Sequence, residues 1–73
     1  MPRYFLTISW LNGITEDPHG IYLANAAAAL SYAQRRIREL QNEGRYDHSG
    51  LTMIVKDEFR QTVLSLPFPP RGA

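Results

Sequence analysis

Residues 3–10, RYFLTISW, alternate strictly: Tyr4, Leu6, Ile8 and Trp10 fall on one side, Phe5, Thr7 and Ser9 on the other. Aromatic and β-branched residues at period two predict a strand. Asn12-Gly13 and the stretch Asp17-Pro18-His19-Gly20 are turn signals. The segment GIYL, residues 20–23, is expected to return as a short second strand. Asn12-Gly13 suits a two-residue hairpin, whereas the polar run Thr15 to His19 favours a longer connection, and the pattern does not choose between them.

The period then changes. Asn25 reads as a helix N-cap, able to accept from the free amides of the first turn. Ala26 to about Glu43 contains no helix breaker, and four consecutive alanines carry the highest helix propensity. Ala26, Leu30, Ala33, Ile37 and Leu40 are expected on one buried stripe, with Arg35, Arg38, Ser31 and Asn42 opposite. Small residues early in that stripe imply a close approach of helix to sheet. Gly44 is placed to end the helix in the left-handed conformation, and arginines near that end suit the dipole. After a polar loop at 45–50, LTMIVKD predicts a third strand with Leu51, Met53 and Val55 on one side. DEFR turns the chain, and QTVLSLPF predicts a fourth strand, which Pro67 must end or confine to a sheet edge.

These elements predict an α+β domain of order β-β-α-β-β, an antiparallel sheet of about four strands with one helix on one face. Residues 1–68 form the single domain and 69–73 a flexible tail. One helix leaves the other sheet face open, and the alternation puts Phe5, Ile54 and Val63 there, beside Thr7, Thr52 and Ser65. Three bulky apolar side chains on one exposed face exceed what a small monomer usually shows. This face is therefore the expected self-association surface, a dimer being favoured, with an edge strand as the other route, or else the docking surface for a protein partner.

Composition narrows the rest. At 73 residues the chain is one domain with a thin core, a size that often borrows stability from a disulfide, a metal or a partner. It has no cysteine, which removes disulfides and thiolate metal sites and leaves the partner. An apolar fraction of 44% and a charged fraction of 21% suit a folded soluble chain. No stretch approaches the ~20 apolar residues that span a bilayer, and the start lacks the long apolar core of a signal peptide, so a cytoplasmic protein with no membrane contact is expected.

Candidate chemistry is sparse. Glu16, Asp17 and His19 crowd together, but a metal needs three or four converging ligands, and a turn explains Asp17 and Gly20. Asp47-His48-Ser49 has the letters of a triad, yet triad members converge from separate segments, and consecutive loop residues diverge. No phosphate loop or dinucleotide fingerprint is present. No catalytic residue, cofactor or metal is expected, and the chain reads as non-enzymatic. A second reading uses Arg35, Arg38 and Arg45 as nucleic-acid contacts along the helix and just past it. A net charge of +1 gives it little support, and Glu39 and Glu43 dilute the field.

Taken in order, Pro2-Arg3-Tyr4-Phe5, Asp17-Pro18-His19-Gly20, Leu23-Ala24-Asn25, Asp57-Glu58-Phe59-Arg60 and Leu66-Pro67-Phe68 resemble the successive motifs of a family of short bacterial proteins, a domain of unknown function. That family opens with M-P-R-Y-[FY]-F, continues through a D-x-x-G turn into an alanine- and arginine-rich helix, and closes after an Asp-Glu turn. The resemblance covers residues 1–68. Pro18-His19 replaces what is usually an acidic pair, and Phe59 stands where a glycine is common. What the resemblance implies is a fold and a bacterial setting. It brings no catalytic residue with it.

Overall fold

The computed structural model describes residues 1–44 and 50–69. The elements run β1 (Arg3–Trp10), β2 (Gly13–Glu16), β3 (Ile21–Tyr22), α1 (Ala26–Glu43), β4 (Thr52–Lys56) and β5 (Thr62–Pro67). All strands join one antiparallel sheet of order β2-β1-β4-β5, with β3 also on β1. The expected α+β architecture is present. The strand order, which the pattern left open, puts β1 and β4 at the centre.

Both connections left open after β1 are used. The chain turns at Leu11 and Asn12, and β2 pairs along Thr7 to Trp10; β3 then pairs with Arg3 and Tyr4 on the same edge. The two short strands form one edge, interrupted where residues 17–20 loop out opposite Phe5 and Leu6. Asp17 N–H donates to the Leu6 carbonyl at 3.1 Å before the chain leaves, and Leu23 N–H to the Pro2 carbonyl at 3.1 Å after it returns.

Asn25 caps α1 as expected, its side-chain oxygen accepting from Ala28 N–H at 2.9 Å. Gly44 ends the helix at φ 72°. The last turn holds no basic residue, so the expected arginine–dipole match falls too early in the helix. The buried stripe is Ala29, Ala33, Ile37 and Leu40. Ala26, expected in it, is exposed along with Ala24, Asn25 and Ala27, and Leu30 is half-buried, so the helix meets the sheet only from its second turn. Ala29 and Ala33 are wholly buried, as close approach to the sheet requires.

The core lies between α1 and the sheet. Tyr4 and Ile8 from β1, with Leu51, Met53 and Val55 from β4 and its approach, pack against the helix stripe. The register aligns them: Leu6 opposite Val55 and Ile8 opposite Met53, then Val55 opposite Leu64 and Met53 opposite Leu66. Pro67 ends β5 on the outer edge, where its missing N–H costs no ladder bond. Pro69 is held to the helix, its carbonyl accepting from the Gln41 amide at 2.8 Å. Of the expected tail, 69–73, residues 70–73 lie outside the described residues, as does the loop 45–49 with Arg45, Asp47, His48 and Ser49.

Candidate interaction surfaces

On the sheet face away from α1, register alone fixes the neighbours. Phe5 stands opposite Lys56, Thr7 between Glu16 and Ile54, and Ser9 between Ile14 and Thr52. Ser65 follows Ile54 outward on β5, and Arg3 faces Tyr22 across β1–β3. Among the described residues no element covers this face. Ile14 and Tyr22 remain 60% and 61% exposed, and Phe5 and Ile54 are half-buried. Thr7 is buried at 3% exposure because a small side chain in the middle strand is walled in by larger neighbours on both sides.

Of the three residues expected to form the apolar patch, Phe5 and Ile54 take their places on this face. Val63 does not join them. A bulge in the β4–β5 ladder pairs Lys56 with Thr62 but Val55 with Leu64, so Val63 has no residue opposite and the alternation breaks there. Val63 packs instead against the core. Ile14 and Tyr22 replace it. Ile14 went unseen because the four-residue GITE strand is too short to carry a periodic signal, and Tyr22 because the two-residue β3 gives no alternation to assign its face.

The N-terminal end of the face is a built cluster. The Arg3 guanidinium donates to the His19 carbonyl through Nε at 2.8 Å and through Nη2 as well. It also lies over two rings, with its central carbon 5.0 Å from the centre of Phe5 and 5.8 Å from that of Tyr22. Asp17 Oδ1 accepts from His19 N–H at 3.0 Å, which folds the loop so that this carbonyl faces Arg3. Gly20, at φ 71°, closes it; a Cβ there would sit 2.8 Å from the Tyr4 carbonyl oxygen and 2.9 Å from the Phe5 ring. Glu16, Asp17 and His19 thus belong to a turn that clasps the first strand. Among the described residues, no three His, Asp or Glu side chains come together as metal ligands.

The β4–β5 turn is organised by Asp57, whose Oδ1 accepts from Phe59 N–H at 2.8 Å and Gln61 N–H at 3.0 Å. Arg60 takes the left-handed conformation at φ 64°, and Phe59 stands 78% exposed at the tip.

The helix arginines divide as the pattern suggested. Arg35 and Arg38 are exposed, and Arg36 is half-buried beside the apolar stripe. Arg35 lies over the Tyr32 ring at 5.4 Å. Glu39 pairs with Arg36 at 3.1 Å. Two of the three helix cations therefore already have local partners, and the helix carries no continuous cationic stripe.

Two grooves flank α1. One, about 230 Å³, is floored by Leu6, Ile8 and Met53 and rimmed by Asp17, Tyr32 and Arg36. The other, about 410 Å³, lies between α1 and β5, with Ile37, Arg38, Leu66 and Pro69 in its walls. The first is smaller than the roughly 300–1,000 Å³ that small-molecule sites use, and the second is an open trough with few polar groups. Among the described residues, no helix is long and apolar enough to cross a membrane.

A match to the family described as Domain of unknown function (DUF6894) runs over residues 3–69. No curated protein and no solved structure is detectably similar to the chain.

Proposed function

Because the chain belongs to DUF6894, a domain of unknown function, its role has to be read from its surfaces, and we propose that it is a non-enzymatic protein-interaction module that self-associates through the open face of its sheet. One observation carries this reading: Ile14 and Tyr22 stand about three-fifths exposed beside half-buried Phe5 and Ile54, on a face with no cover among the described residues. At roughly 25 cal/mol per Å² of apolar surface, hiding what Ile14 and Tyr22 still expose contributes about 1–2 kcal/mol each. That matters in a domain whose single core supplies only about 3–5 kcal/mol.

The edges support the face as the route. A sheet can also associate by adding a strand to an unpaired edge. Here β5 is broken by its bulge and ends in Pro67, and the β2–β3 edge is broken by the loop carrying Pro18. Neither edge offers a long run of free backbone groups.

Light scattering at micromolar concentration is expected to give a mass above the 8.3 kDa of one chain. Ile14→Lys combined with Ile54→Lys is expected to shift it to monomer with the circular dichroism spectrum unchanged. A wild-type monomer at high concentration would overturn the reading.

A further inference from the structure

We propose that the second copy of the chain is recognised by charge as well as by apolar contact: across a two-fold axis, Glu16 of each copy meets Lys56 of the other. This rests on the self-association reading above and names the pairing that gives it a register.

The register puts Glu16 on the open face beside Thr7, and Lys56 on the same face beside Phe5. They are two strands apart and offset by two residues along the sheet. With strands about 5 Å apart and about 7 Å per two residues, they are roughly 12 Å from each other within one copy, too far to pair. Glu16 is exposed, Lys56 is half-buried, and neither side chain has a hydrogen bond or ion pair among the described residues. The other cation of the face, Arg3, is already held by the His19 carbonyl and the two rings. One free anion and one free cation therefore lie on opposite sides of β1, with Phe5 and Thr7 between them and Ile54 beside Lys56.

A face so arranged complements itself. Isologous pairing requires that residue i meet residue j and j meet i, and a displaced pair of opposite charges meets that condition where a single-sign patch cannot. An axis carrying Glu16 onto Lys56 runs diagonally across β1, between Phe5 and Thr7. It stacks the two sheets with strands crossing steeply, close to the orthogonal arrangement that packed sheets use. Phe5 and Thr7 of both copies then lie beside the axis, the two ion pairs flank them, and Ile54 packs just outside. A polyanion gains nothing from a face with both signs on it, which favours a second copy over nucleic acid.

A charge swap tests the pairing. Glu16→Lys and Lys56→Glu are measured singly and together by sedimentation equilibrium, with thermal melting as the check of folding. Each single change is expected to weaken the dimer by roughly tenfold or more, as like charges meet across the interface, and the double change to restore it to within about threefold. Where a reversal unfolds the chain, Glu16→Gln and Lys56→Gln replace it, with a smaller weakening at low salt that vanishes at high salt, where the wild-type dimer weakens to match. A dimer indifferent to both single changes, or a double variant as weak as the singles, overturns the ion pairs while leaving self-association standing. A wild-type monomer overturns both.

Discussion

The two faces of the sheet are made by the same strands, from alternate residues, and they have opposite fates. Met53 and Val55 point under α1 and keep 1% and none of their surface exposed; Ile54, between them, points the other way and is only half-buried. The difference lies in the connection between β3 and β4, which carries one helix and so can cover one face. The helix face takes the stripe of small residues that lets α1 approach. The open face mixes Thr, Ser and charge with a few large apolar groups. The core is concentrated on the first, and the second is the face proposed above for self-association.

Neighbouring residues on β4 break that comparison most sharply. Met53→Ala leaves a cavity in a core of a few residues and is expected to cost about 2–5 kcal/mol, enough to unfold much of so small a domain. Ile54→Ala, one position on, is expected to cost under about 1 kcal/mol in dilute protein, rising with concentration as the lost contact becomes an intermolecular one. Urea unfolding at two protein concentrations reads both. Equal losses, independent of concentration, would mean that the two faces are equally structural.

The next effect belongs to the clasp at the N-terminal end, where the open face is partly built upon. Gly20→Ala puts a methyl group against the Tyr4 carbonyl and the Phe5 ring at a positive φ, and is expected to cost about 1–3 kcal/mol. Arg3→Lys is expected to cost less, since an ammonium keeps the charge but loses the planar fork over two rings. Thermal melting measures both. If Gly20→Ala melts like the wild type, the loop is not held against β1. The first two motifs of the family resemblance, around Arg3-Tyr4-Phe5 and Asp17 to Gly20, meet at this clasp, so their joint presence has a structural cause.

Much of this architecture was legible in the chain. RYFLTISW and LTMIVKD alternate cleanly because each has one face in the core, and α1 was legible from Asn25 to Gly44 because caps and propensity agree. What escaped has physical reasons. The GITE strand is held by its pairing with β1 and buries little, so its residues carry no period. The bulge at Val63 leaves no trace, since VLSL alternates smoothly through it; only the partner strand shows that one residue has no counterpart. Strand order depends on contacts between distant segments, which local pattern does not encode. The patch was thus half visible: Phe5 and Ile54 from alternation, Ile14 and Tyr22 only from the register.

The smallest effect is expected on the outer side of α1, the third surface and the contrast to the open face. Arg35 and Arg38 are its exposed arginines, but Arg35 lies on Tyr32, and Glu39 and Glu43 share the helix. Binding to a phosphate backbone would release counterions and fall steeply with salt. Arg35→Glu with Arg38→Glu is expected to change melting by no more than about 0.5 kcal/mol, the usual range for surface positions. It is also expected to leave the proposed self-association unchanged, because the helix lies on the far side of the sheet from the open face. Fluorescence titration with a labelled oligonucleotide at low and moderate salt is expected to show weak binding with a shallow salt slope, as a net charge of +1 predicts. Tight, steeply salt-dependent binding lost in the double variant would move the interaction surface from the sheet to the helix.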